Sequence, residues 1–233
     1  MWDLIEAGGW LMLPIIGCSL LAVAIAGERI WTLHRSRIVP DGLVAEVWSA
    51  FRNGLLDRDA LRDLRRNSPL GRVLAAGIQS SQQPRTEMMD SVEDAGRHEA
   101  HLLERYLNTL GTIAAITPLL GLLGTVIGMI KVFAAITAQG LGDPTALAGG
   151  ISEALITTAA GLSVAIPSLI AYRYFRGLVD QLVVEMEQEA LRLVDALQAL
   201  REGRVGASAP APDAATAARE TRASGAANDS GAS

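Results

Sequence analysis

The segment Gly149–Tyr172, GGISEALITTAAGLSVAIPSLIAY, is apolar almost throughout, yet it carries a carboxylate at Glu153 and adjacent hydroxyls at Thr157 and Thr158. A second apolar segment, TPLLGLLGTVIGMI (Thr117–Ile130), carries a hydroxyl at Thr125 among glycines. Of these groups only the carboxylate is an acid that can take up and release a proton in water. A threonine hydroxyl can solvate a charge or relay a proton through water, but it does not titrate there. A carboxylate in hydrocarbon costs about 2.5–3.5 kcal/mol on insertion scales, and such residues usually face a protein interior or mark an ion path. The chemistry these residue types suggest is passage of an ion rather than making or breaking of bonds.

Two placements of Glu153 are open from the residues alone. Ala154–Tyr172 is already 19 residues, so a spanning helix could begin at Ser152 and keep Glu153 in its first turn, where the macrodipole favours an acid. Alternatively, Asp143-Pro144 offers a capping residue followed by proline at the first helical position. Glu153 would then lie more than two turns inside, about 14 Å along the helix. At 100° per residue, Glu153, Thr157, Ala160 and Val164 share one face, and Thr158 lies about 140° from Glu153. The small residues have a plainer use. Gly121 with Thr125, and Gly124 with Gly128, are spaced four apart, as are Gly150, Ala154 and Thr158. Together with Gly161 they are candidate positions for close helix packing.

Other chemistries find little support. HEAH places His98 and His101 three apart on one helix face, one residue short of the H-E-x-x-H spacing and without an evident third ligand, so no metal site is expected. No catalytic grouping of Ser, His and Asp, no phosphate-binding glycine loop and no paired catalytic carboxylates are present, so neither an enzyme nor a cofactor is expected. The single cysteine, Cys18, lies in an apolar run and has no partner for an intrachain disulfide. The net charge of −5 and the lack of a basic patch interleaved with aromatics argue against nucleic acid.

These groups need elements to hold them. Half of the residues are hydrophobic, which suits a few membrane spans combined with polar mass. Gly8–Gly27 is 20 residues without a charge, enough to cross about 30 Å of hydrocarbon. Its N-terminal flank holds Asp3 and Glu6, and its positives, Arg29, Arg35 and Arg37, follow it, which is the reverse of a signal peptide. Tyr106–Ile130 is a second uncharged run of 25 residues, and a third lies between Asp143 and Arg173, interrupted only by Glu153. Twelve arginines lie between Arg29 and Thr109, and Arg173 and Arg176 follow the third span, whereas the connector Thr137–Ala148 has no Lys or Arg. The basic sides belong in the cytoplasm, which leaves the N-terminus and the connector outside. Lys131, at the outer end of the second span, is expected to snorkel to the interface.

The polar remainder reads as helical. Leu43, Val47 and Phe51 are four apart on one face. Ser68 is a plausible N-cap with Pro69 in the first turn. From Thr86, taken as an N-cap, one uninterrupted helix is expected to run into the second span. After the third span, Leu178, Leu182, Met186, Leu193, Leu197 and Leu200 form an amphipathic stripe, expected to pack against the helix that precedes the second span. The expected fold is all-α: an integral membrane protein with three transmembrane helices, spans two and three extended into a cytoplasmic helical bundle. Its expected divisions are 1–28, an N-terminal segment with the first span; 29–109, a cytoplasmic helical segment; 110–136, the second span; 137–143, a short external connector; 144–172, the third span; 173–202, a cytoplasmic helix; and 203–233, a disordered tail rich in Ala, Ser, Gly and Pro.

TPLLGLLGTVIGMI and GGISEALITTAAGLSVAIP (Gly149–Pro167) resemble the two signature spans of the ExbB/TolQ/MotA proton-channel family. The resemblance covers about residues 5 to 200, and three spans with an outside N-terminus resemble its ExbB/TolQ branch. It implies a homo-oligomer, a pentamer, in the bacterial inner membrane, with a periplasmic N-terminus and a cytoplasmic C-terminus. It further implies an ExbD- or TolR-like single-span partner that supplies a protonatable aspartate, and a TonB- or TolA-like protein energised by proton flow. In the family's motif the positions matching Thr125, Glu153 and Thr158 are the polar channel residues; Thr157 is a possible secondary lining residue. Support of TonB-dependent transport is the expected role. A TolQ-like role in the Tol-Pal envelope system and a passive membrane scaffold are the alternatives.

Overall fold

The computed structural model describes residues 8–139 and 144–203. Among these residues the regular structure is all-helical: α1 (Met12–Thr32), α2 (Arg35–Ile38), α3 (Leu43–Arg52), α4 (Arg58–Asn67), α5 (Pro69–Gln79), α6 (Arg85–Leu103), α7 (Leu107–Gln139) and α8 (Pro144–Arg201). Three of them, α1, α7 and α8, are long and apolar enough to cross a membrane. The helices form two compact units. One comprises α1, α7 and α8 as far as Leu178; the other comprises α2–α6 and α8 from Val179. The acidic flank at Asp3 and Glu6, the capping residue Asp143 and the tail beyond Gly203 lie outside the described residues.

In the apolar unit, helices satisfy most backbone hydrogen bonds within one segment, as hydrocarbon demands, with Pro118 in α7 and Pro167 in α8 each removing one donor. The first expected span begins later than the uncharged run that marks it: Gly8–Leu11 forms a turn, and α1 starts at Met12. α1 packs along α7 and buries Ile15, Ala22 and Ile25. α7 and α8 run antiparallel and approach closely. Gly121 meets Thr158, Gly124 meets Thr157, and Gly128 meets Ala154 and Gly150. A methyl group added at Gly128 would stand 2.7 Å from the Gly150 carbonyl oxygen, and one at Gly161 would stand 2.8 Å from that of Thr117. Those oxygens belong to backbone and cannot swing aside, so glycine sets the helix separation here. Hydroxyls within these helices mostly bond their own backbone. Thr117 donates to Ile113 O at 2.6 Å, Ser163 to Ala159 O at 2.8 Å and Ser168 to Val164 O at 2.7 Å. The outer surface is as apolar as the inside, with Leu13, Val23, Leu119 and Ile170 all exposed, a surface suited to lipid or to another apolar protein face.

The second unit follows soluble rules. α5 packs against α4 and α6, and Leu70, Val73, Leu74 and Ala75 are fully buried. Ser68 caps α5 by accepting from Gly71 N–H at 3.0 Å, and Asp57 caps α4 by accepting from Ala60 N–H at 2.8 Å. The stripe on the last part of α8 buries Leu182, Met186, Leu193 and Leu197, and Arg85 of α6 holds Asp195 of α8 at 2.7 Å. Arg35 bridges Asp41 and Glu185, each at 2.8 Å; burial lowers its affinity for the proton, but the two carboxylates outweigh that and raise it.

Two expectations fail in this region. α6 begins at Arg85, so Thr86 lies inside the helix rather than capping it. Nor does one helix run on into the second span: α6 stops at Leu103, a turn occupies Glu104–Tyr106, and α7 restarts at Leu107. Tyr106 adopts a left-handed backbone with φ 64°, which costs a residue with a side chain roughly 1–2 kcal/mol. Two cations lie over its ring, with the Arg105 guanidinium carbon 4.6 Å and that of Arg29 5.4 Å from the centroid. Such stacking offsets part of the cost. Arg29 comes from α1, so the stop depends on tertiary structure, and neither proline nor glycine marks it.

Candidate functional site

α8 begins at Pro144, so Glu153 lies more than two turns inside it; of the two placements the residues left open, the deeper is the one observed. The carboxylate accepts two hydrogen bonds from Lys131 Nζ on α7, at 2.6 and 2.7 Å. Glu153 is 19% exposed and Lys131 51%. Lys131 is thus half-exposed and at the same time turned onto the acid. Pairing makes burial tolerable, because each charge offsets part of the other's desolvation. One signal could have revealed the pair: Lys131 and Glu153 are each eleven residues from position 142, and residues equidistant from the connection of an antiparallel helix pair come level.

One turn further along the same face, Thr157 is buried. Its hydroxyl lies 2.7 Å from Glu153 O and 2.9 Å from Gly8 O, and its single proton serves one of them at a time. The turn before α1 therefore lies against this face. Gly9, at φ 70°, takes the left-handed conformation, and a Cβ on it would overlap Glu153 Oε1. Both the torsion and the close approach require glycine.

Thr158 faces elsewhere, as the 140° rotation implies: its hydroxyl donates to Gly121 O on α7 at 2.9 Å. Thr125 donates to Leu122 O in its own helix at 2.6 Å. It is half-exposed, on a strip of α7 where Leu122, Val126 and Met129 are exposed. The structure accordingly brings Glu153, Lys131, Thr157 and the Gly8–Gly9 backbone into one cluster. Thr158 is held on the α7–α8 seam and Thr125 on an outward strip. His98 and His101 are exposed on α6, and no group of three potential metal ligands comes together among the described residues.

A family model described as the MotA/TolQ/ExbB proton channel family matches residues 65–188, just over half of the chain. The chain belongs to this family. The matched stretch of this MotA/TolQ/ExbB member contains Thr125, Lys131, Glu153, Thr157 and Thr158. Similar proteins include the biopolymer transport protein ExbB-like 3 of Synechocystis sp., 35% identical over 74% of this chain and 83% of that one. The Tol-Pal system protein TolQ of Pseudomonas aeruginosa is 29% identical over 78% of this chain and 86% of its own length. The biopolymer transport protein exbB1 of Vibrio cholerae is also 29% identical, over 77% and 80%. The family is one of proton channels and transport components, not of enzymes.

Proposed function

We propose that this chain is an ExbB-like subunit of an inner-membrane proton channel. With an ExbD- or TolR-like single-span partner, it uses the proton motive force to energise a TonB-like protein and so drive TonB-dependent transport across the outer membrane. The observation that carries this is the carboxylate of Glu153 held more than two turns inside a spanning helix. Glu153 is the carboxylate this chain contributes to the proton pathway, Thr125 and Thr158 are polar lining, and Thr157 is secondary lining. The exposed strip beside Thr125 is available to a second helix, which suits a ring of subunits, a pentamer, closed around the partner's spans. Its N-terminus is periplasmic and its C-terminus cytoplasmic, in keeping with the arginines that follow the first and third spans. One proton crossing 100 mV yields about 2.3 kcal/mol, so each mechanical step that does more work must couple several protons.

A second role, as a TolQ-like subunit of the Tol-Pal envelope system, is favoured by the TolQ relative, which matches no less of the chain than the exbB1 relative at the same identity. Co-expression with the adjacent single-span protein, followed by native mass measurement and a proton-flux assay in liposomes, tests the proposal. The expected result is a five-subunit ring that conducts protons only with the partner present. A particle without a ring, or rapid flux through this chain alone, is the result that sinks it. Capture of a TonB-like or a TolA-like protein by the intact complex separates the two roles.

A further inference from the structure

The carboxylate of Glu153 carries a cation supplied by the chain itself. Lys131 Nζ lies 2.6 Å from one carboxylate oxygen and 2.7 Å from the other, astride both, where a bare cation bound by two oxygens would sit. On another side the Gly9 backbone is so close that a Cβ there would overlap Oε1. One turn along the same face are two further oxygens, the Thr157 hydroxyl, which lies 2.7 Å from the Glu153 backbone oxygen, and the Gly8 carbonyl 2.9 Å from that hydroxyl. Carboxylate, hydroxyl and carbonyl are hard ligands of the kind that take hard cations in place of water.

We propose that Lys131 is the ion-specificity residue of this site: its tethered ammonium fills the cation position at Glu153 and bars sodium and other alkali cations while leaving the carboxylate open to protons. The proposal rests on the channel function argued above. An alkali cation needs several oxygens around it at once, and the ammonium already holds both carboxylate oxygens. A proton needs no vacancy. It adds to a lone pair of one carboxylate oxygen, the N–H···O bond to that oxygen opens, and Lys131 keeps all three of its own protons. The site then bears one net positive charge, which the half-exposed Lys131 carries toward water. When the carboxyl releases its proton, the ammonium returns and the site is neutral again. Lys131 touches the group that exchanges protons and holds it in place; it does not itself give or take one.

The test uses the purified full chain in detergent: the unaltered protein, Lys131→Met, which keeps length and removes charge, and Lys131→Arg, which keeps charge. Thermal unfolding is compared in sodium chloride and choline chloride at equal ionic strength. The expected result is a sodium-specific rise in Tm of about 2–4 °C for Lys131→Met, and none for the unaltered protein or Lys131→Arg. A sodium-specific rise in the unaltered protein overturns the proposal. So does its absence in a Lys131→Met protein of normal helix content. Lys131→Gln, uncharged but still a hydrogen-bond donor, carries the same expectation and decides the matter if the methionine variant does not fold. In liposomes with the single-span partner, Lys131→Met is expected to take up radiolabelled sodium and the unaltered complex to pass protons only. Lack of any flux from the unaltered complex counts against the channel function alone, because sodium binding in detergent is read without it.

Discussion

Each of the two units clamps a carboxylate with a cation, and the two clamps are built differently. In the polar unit, Glu99 of α6 is 3% exposed and takes both Arg72 Nε and Nη2 of α5 at 2.6 Å. In the apolar unit, Glu153 takes one Lys131 nitrogen on both oxygens. A guanidinium is planar, is always charged and matches a carboxylate with two parallel bonds, so the Arg72–Glu99 pair fixes one helix against another. An ammonium is a compact point charge on a flexible four-carbon stem, which can release one oxygen and keep the other. The difference separates a lock from a latch. The polar unit needs a single arrangement of α5 and α6, whereas the proton-carrying role proposed for Glu153 needs a partner that can let go.

The comparison is broken most strongly at the latch. Glu153→Gln keeps the shape of the side chain and removes its charge. Proton flux through the reconstituted complex is expected to fall to the background of empty liposomes, while the helix content by circular dichroism stays unchanged. Unaltered flux would make the chain a passive scaffold and the pair a structural one.

The next effect in size is at the lock. Glu99→Ala leaves a guanidinium beside an emptied buried site and is expected to destabilise the polar unit by about 3 kcal/mol, at the low end for a broken buried pair because Arg72 is partly exposed. Protease susceptibility of the segment 33–103 reads this out, with ion flux measured alongside. A loss of flux in a variant whose helices remain intact would show that the two units are coupled through more than stability.

The smallest effect sharpens the comparison by removing burial. The pairs that Arg35 makes with Asp41 and Glu185 have the 2.8 Å geometry of a good bridge, but all three side chains are more than a third exposed. Arg35→Ala is expected to cost about 0.5 kcal/mol, and the cost should fade in high salt. A salt-insensitive cost as large as that of Glu99→Ala would show that burial is not what distinguishes these pairs.

Much of this molecule was legible in the residues. Two charge-free runs and a third broken only by Glu153 found the spanning helices because lipid imposes a length and a composition that local sequence records directly. The cap at Ser68 and the α8 stripe from Leu182 to Leu197 were equally readable, since both are properties of a single helix. Glu153 stood out because an acid in an apolar run is costly wherever the chain goes. Its partner did not stand out, because the pairing with Lys131 arises only when α7 and α8 lie antiparallel at glycine-set distance. The Gly8–Gly9 backbone beside Glu153, the Arg72–Glu99 lock and the break at Tyr106 share that origin. Hydropathy and helical period are summed over neighbours in the chain, whereas ion pairs, close backbone approach and a left-handed tyrosine under two arginines depend on which distant residues the packed helices bring level.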